Sequence, residues 1–214
     1  MSTITFVTGY ARRERTELAD LLLRLGPEEP TLCTGWTTRD LAAHLVVRDR
    51  RPDAVAVQLV PPLRGHAERV RRAKAAEPYE AIVRELRSPP WWSLLSNPLT
   101  EEPVSGVEFF IHHEDARRGR PGWVPRDLDP GQQRALWRAA QFTGRLALRR
   151  LGVPVTVRAE GYGSFAVGAQ PQVTVAGPPS ELALFLSGRQ RAARVTVDGP
   201  AEPAERLRRA RLGF

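Results

Sequence analysis

The sequence predicts a mainly helical protein in two parts, a helical domain over residues 1–152 and a small α/β domain over 153–214. Three observations carry that reading. Apolar residues recur at helical spacing in several stretches before residue 152. Short β-branched runs follow Gly152. Glycines and prolines punctuate the joints between these segments. Apolar residues make up 42% and charged residues 26% of the chain, ordinary globular usage that excludes disordered, collagen-like and coiled-coil classes.

In residues 3–25, Phe6, Val7, Tyr10, Leu18, Leu21, Leu22 and Leu25 fall near helical spacing, with Arg12, Arg13, Glu14 and Arg15 between them. Gly26-Pro27 stops that helix. Thr37 is a suitable N-cap, and Asp40 three residues later can return the hydrogen bond. The helix it opens runs over about 38–60, with Pro52 kinking it or ending its first half and Pro61-Pro62 closing it. A charged helical segment over 66–87 is weakly interrupted at Pro78, and Ser88-Pro89-Pro90 breaks it. Trp91 and Trp92 supply apolar bulk and are expected as a plug between helices. A further helix begins at Pro103 or Ser105 and ends at Arg118, where Gly119, Pro121 and Gly122 follow. The longest spans 130–151, with Pro130 in its first turn and Gly152 just past its end.

Beyond Gly152, residues 153–159, 172–176 and 194–198 read as strands, with Gly161, Gly163 and Gly168 marking turns. A short helix opens at Pro179-Ser180-Glu181 and closes at Gly188, and a basic helix over 203–212 ends the chain.

Charge and cysteine content narrow the function classes. The net charge is +8, yet of the 32 basic residues only Lys74 is lysine. Residues 153–214 hold 8 arginines against 5 acids, so the excess is spread along the chain and forms no tail. With no recognition motif and no interleaving of aromatic and basic residues, this argues against a nucleic-acid-binding module and for attraction of small anionic substrates. No apolar run reaches the length of a membrane span, and the N-terminus lacks the pattern of a secretory leader, so the expectation is a cytoplasmic protein. Cys33 is the single cysteine and allows neither an internal disulfide nor a Cys-rich zinc site. With no partner base readable nearby, it is expected as a small buried residue.

The histidines carry the chemistry. His44 lies in the apolar stretch Leu41-Ala-Ala-His-Leu-Val-Val, on or beside the buried face of its helix. Glu108 and His112 stand at i and i+4, sharing a helix face about 5–6 Å apart at Cβ. Taken singly, each reads as a hydrogen-bonded core histidine or a surface pair. Taken together, a buried carboxylate and two imidazoles cost several kcal/mol unless they are paired or bound to a cation. A divalent metal satisfies all three at once. Beside them, His113 and Asp115 are candidate outer groups, Asp115 being placed to orient an imidazole. Arg48, four residues after His44, can reach an anion at the site. His66 is expected to be exposed.

The element Trp36-Thr37-x-x-Asp40-Leu41-x-x-His44 resembles the DinB-like superfamily. With the later Glu108-x-x-x-His112 it looks like the mycothiol-dependent maleylpyruvate isomerase branch, and the stretches 33–45, 48–53 and 112–115 resemble an actinobacterial metal-binding subgroup. The resemblance implies a four-helix bundle holding one divalent metal, usually zinc, through His44, Glu108 and His112. Three protein ligands leave an open position, as in catalytic zinc sites. It further implies a low-molecular-weight thiol as cosubstrate and isomerase or S-transferase chemistry on a small anionic substrate. Arg189 of the C-terminal domain is the candidate for holding a carboxylate. The rival reading is a metal-binding protein without thiol chemistry, either a zinc hydrolase or a non-catalytic binder. Monomer and homodimer both remain open.

Overall fold

The computed structural model describes residues 9–51, 64–93 and 101–213, with backbone alone at 64 and 101–104. The expected helical starts at Phe6 and Val7, the stretch containing Pro52, and Pro61-Pro62 lie outside the described residues. The chain divides into two compact units, 1–123 and 124–214.

The first unit contains α1 (Tyr10–Leu25), α2 (Thr38–Arg50), α3 (Arg64–Ala75), α4 (Tyr79–Arg87) and α5 (Glu101–Arg117). Their start and stop signals follow the sequence closely. The Gly26 N–H bonds to the Leu22 carbonyl with Gly26 at φ 81°, which ends α1. Thr37 donates its backbone N–H to the Asp40 carboxylate at 3.0 Å, fixing the start of α2. α2 stops at Arg50, two residues before Pro52, because the residue preceding a proline is driven out of the helical region. Pro78 divides the expected 66–87 segment into α3 and α4 by standing at the N-cap of α4.

Core packing brings together Leu18 and Leu22 of α1, Leu41 and Leu45 of α2, Ile82 and Leu86 of α4, and Phe109 of α5, all fully buried. Two charged residues that the helical pattern puts on the polar side of α1, Glu14 and Arg15, are buried as well. Arg15 pairs with the buried Asp49 of α2, donates to the Leu86 carbonyl at 3.0 Å, and lies 4.2 Å above the Phe109 ring. One side chain therefore ties α1 to three other helices. The tryptophans expected as an interhelical plug are instead surface residues, Trp91 being 90% exposed and Trp92 48%. Pro89 and Pro90 end the helical path before them and leave them outside the core.

The second unit contains α6 (Pro130–Leu151), β1 (Val155–Ala159), β2 (Gly163–Val167), β3 (Val173–Ala176), α7 (Pro179–Leu186), β4 (Thr196–Asp198) and α8 (Ala201–Arg209). The sheet order is β2-β1-β3-β4, with β1 and β3 parallel and both outer pairs antiparallel. Val155, Val157, Ala159, Val173 and Val175 form its buried face. Strand β2 was expected as a turn region. It has only Phe165 and Val167 turned inward and begins on a glycine, too weak a pattern to read as a strand.

The unit boundary falls at 123/124 and not at the expected 152/153. Its physical reason is α6, which packs on α7 and β2: Trp137 meets Phe165 at 5.6 Å, and Gly144 lacks the Cβ that would collide with Leu186. The longest helix thus completes the α/β unit. Among the described residues no helix is long and apolar enough to cross a membrane.

Removing one member of the Arg15–Asp49 pair strands a buried charge, which costs about 3–5 kcal/mol. Asp49→Ala is expected to lose about that much stability in denaturant unfolding, and the apolar double variant Arg15→Met/Asp49→Leu to recover most of it. A loss below about 1 kcal/mol for Asp49→Ala would show the pair to be replaceable by solvent.

Candidate metal centre

Helix α5 is buried on nearly every side: Phe109 through Ala116 are all inaccessible or nearly so. A helix so enclosed must partner its buried polar side chains, and those of Glu108 and His112 through Asp115 all have partners. Glu114 binds Arg117 at 2.9 Å and Arg118 at 2.5 Å. His113 Nδ1 meets Glu14 Oε2 of α1 at 2.7 Å, in a group that also includes Glu17. His113, expected as an outer group of the His44 site, therefore faces α1. His112 carries two acids: Nδ1 lies 2.9 Å from Asp115 Oδ2 and Nε2 lies 3.3 Å from Glu108 Oε1.

Across from this face, α2 presents His44, whose Nε2 is 3.7 Å from the same Glu108 oxygen. The two imidazole rings stand 5.2 Å apart in an edge-to-face arrangement. Ligand atoms of His44, Glu108 and His112 lie within 4.8 Å of one another. A tetrahedral ion with bonds of about 2.0–2.1 Å holds its ligands about 3.3 Å apart, so separations of 3.3 and 3.7 Å fit one with little movement. Two nitrogens and a carboxylate oxygen also form a donor set suited to zinc.

The surroundings fix these groups in place. The Trp36 ring lies 5.1 Å from that of His44, and the Arg71 guanidinium covers the Trp36 ring at 4.9 Å. Arg71 is held in turn by Asp40 and Glu68. Arg48 Nε approaches Glu108 at 3.7 Å while its terminal nitrogens bind the Ser105 hydroxyl at 3.2 Å. Arg48, proposed from spacing alone, thus stands at the site. Arg189 belongs to the second unit, on the turn after α7, and donates to the Ser187 carbonyl at 2.6 Å. His66 is partly buried and lines a cavity of about 520 Å³ beside Arg50, Arg69 and Lys74, a correction to its expected exposure.

Cys33 is the residue that sequence reasoning missed. Its thiol donates to Asp115 Oδ2 at 3.2 Å, the oxygen that also meets His112. The loop reaches this position because the Leu32 N–H bonds to the Asp115 carbonyl at 3.1 Å. It is also pressed so close to the end of α5 that a Cβ on Gly119 would sit 2.0 Å from the Pro30 oxygen. No spacing rule links residue 33 to residue 115; only the docked loop brings them together.

The charge states follow from these contacts. Burial pushes the His44 imidazole below its ordinary value, partly opposed by Glu108, which favours the neutral form with a lone pair to offer. Burial alone would raise the Glu108 carboxyl, but hydrogen bonds from His112 and His44 hold it well below its usual range. Burial would likewise lower His112, yet Asp115, Cys33 and Glu108 together hold it well above the usual imidazole range. In the metal-free protein His112 is therefore a cation between two carboxylates. Asp115→Asn is expected to move the His112 titration to lower pH, followed by NMR of the imidazole in metal-free protein. An unmoved titration would mean that Asp115 does not hold the proton.

Residues 11–98 match the family model of the mycothiol maleylpyruvate isomerase N-terminal domain. The match includes Cys33, Trp36, His44 and Arg48 and ends before Glu108 and His112. No curated protein and no solved structure gives a match. Over these residues, which include the Trp36–His44 element, the chain is similar to the mycothiol maleylpyruvate isomerase N-terminal domain.

Proposed function

We propose that the helical unit is a DinB-like bundle holding one divalent metal, zinc first, through His44, Glu108 and His112. The protein would then be a thiol-dependent isomerase or S-transferase acting on a small anionic substrate. The observation that carries the metal reading is the convergence of two Nε2 atoms on one Glu108 oxygen at the edge lengths of a coordination tetrahedron. The thiol reading rests on the family match over residues 11–98. When bound, zinc supplies an open position at which a low-molecular-weight thiol is held in its nucleophilic thiolate form.

The chain's own residues prepare that position. Asp115 holds Nδ1–H of His112, which leaves Nε2 as the ligating atom and sets the plane of the ring. The Trp36 ring shields His44 from water on one side. Arg48, against Glu108, is the proposed partner of a substrate carboxylate. A hydrolase would need a free carboxylate base beside the ion. The neighbouring acids Glu114 and Asp115 are already engaged, the first by two arginines and the second by His112 and Cys33. That engagement favours thiol chemistry over hydrolysis.

Elemental analysis of the purified chain is expected to find about one divalent ion per molecule. His44→Ala and His112→Ala should lose it while staying folded; an ion retained by both variants would overturn the ligand set. With zinc bound, a fluorescent low-molecular-weight thiol should associate more tightly than with the metal-free protein, and equal binding would remove the thiol chemistry.

Metal uptake carries a sign in pH. His112 is held above its ordinary value without metal, so at neutral pH its Nε2 proton must leave before the nitrogen can ligate. Uptake is therefore expected to release about one proton per ion, and apparent affinity to rise with pH. Calorimetry in two buffers of different ionisation enthalpy counts the protons, and a count of zero contradicts the assignment of His112.

A further inference from the structure

The second unit has a cleft that the chemistry above does not use. It is a cavity of about 740 Å³ lined by Leu128, Gln133, Arg158, Glu160, Tyr162 and the segment 176–179. Its place in the fold is specific. β1 and β3 are adjacent and parallel, so their carboxyl ends reach the same edge of the sheet. From β1 the chain passes to β2 on one side, and from β3 it passes through α7 to β4 on the other. The strand order therefore reverses between β1 and β3. In open α/β sheets, a crevice outside the carboxyl ends at such a reversal is where ligands bind. The cleft lies there, lined by Arg158 and Glu160 at the end of β1 and by Ala176 and Gly177 at the end of β3.

The lining defines the ligand. Alternation along β1 buries Val155, Val157 and Ala159 against the helices and leaves Arg158 on the opposite, open face. The side chains of Arg158, Glu160 and Tyr162 have no hydrogen-bond or ion-pair partner among the described residues. Gln133, by contrast, is held rigid by two hydrogen bonds to Ser180, of 3.0 and 3.3 Å, and forms a fixed wall. Leu128, Ala176, Pro178 and Pro179 supply apolar surface. An unengaged guanidinium presents a planar fork matched to a carboxylate, and the apolar walls suit a hydrocarbon or aromatic body. Glu160 and Tyr162 can take a hydroxyl or ammonium donor from that body.

We propose that this cleft is a binding site for a small organic acid, a carboxylate on an apolar or aromatic body, with Arg158 as its anchor. The site lies wholly within the second unit and stands independently of the metal centre.

The test is an NMR titration of the isotope-labelled full chain with 4-hydroxybenzoate and with tyrosine, using 4-hydroxybenzamide as the uncharged control. Either acid is expected to move the backbone signals of Arg158, Tyr162, Ala176 and Gly177 saturably, and the amide to bind about tenfold or more weakly. Arg158→Gln, on the exposed side of the strand, should weaken the acid by a similar factor while leaving the rest of the spectrum in place. If neither acid moves these signals, or if Arg158→Gln and the amide bind as well as the originals, the proposal is overturned. His44→Ala, tested in parallel, should leave the titration unchanged; altered binding would tie the cleft to the metal centre and overturn its independence.

Discussion

Within the first unit, the arrangement depends on a guanidinium that has no access to water. Arg15 leaves α1 toward the core, where an unpaired charge would cost far more than any single apolar contact returns. Its partners are Asp49 of α2, the Leu86 carbonyl at the end of α4 and the Phe109 ring of α5. Apolar packing alone tolerates sliding and rotation of helices, whereas a buried ion pair with an added hydrogen bond admits few relative positions. The two residues it fixes are also neighbours of the candidate site: Asp49 follows Arg48 on α2, and Phe109 follows Glu108 on α5. The pair thereby sets the spacing at which His44 and Arg48 face Glu108 and His112.

The same logic extends along α5, where a run of ionisable groups is buried and each has a polar partner, from α1 for His113 and from α5 or the residue just after it for the others. His113 finds Glu14, Glu114 finds Arg117 and Arg118, and His112 finds Asp115 and Glu108. His112 differs in having acids at both ring nitrogens. One of them, Asp115, is inaccessible and shared with the Cys33 thiol; the other, Glu108, keeps 36% of its side-chain surface exposed. A fully enclosed acid can only hold its partner in position. A partly open one can exchange its partner for a cation that enters from outside. This asymmetry separates the enclosed, orienting side of the imidazole from its partly open side.

The second unit is organised by packing where the first relies on charge. Its sheet is narrow, so α6 and α7 must both lie on the Val155–Val157–Val175 face to enclose it. The opposite face and the carboxyl edge of the parallel strands stay open, and Arg158 and Tyr162 stand there with no engagement among the described residues.

Much of the local structure was written in the sequence. Thr37 and Asp40, Gly26-Pro27, Pro130 and Gly152 mark helix ends through bonds and dihedrals that span a few residues, and the structure has ends at each of them. Glu108 and His112 share a face because helical pitch places i and i+4 together. Tertiary structure alone decided what depends on residues far apart in the chain. Arg15 and Glu14 read as a polar face of α1 until Asp49 and His113 are seen opposite them. Cys33 reaches Asp115 only through a loop docked on Gly119, and α6 reads as a member of the helical domain until its contacts with α7 and β2 assign it to the sheet. The physical reason is the range of the forces involved. Capping and periodicity act within a turn or two of chain, whereas the burial of a charge is settled by whichever distant side chain the packed fold brings to meet it.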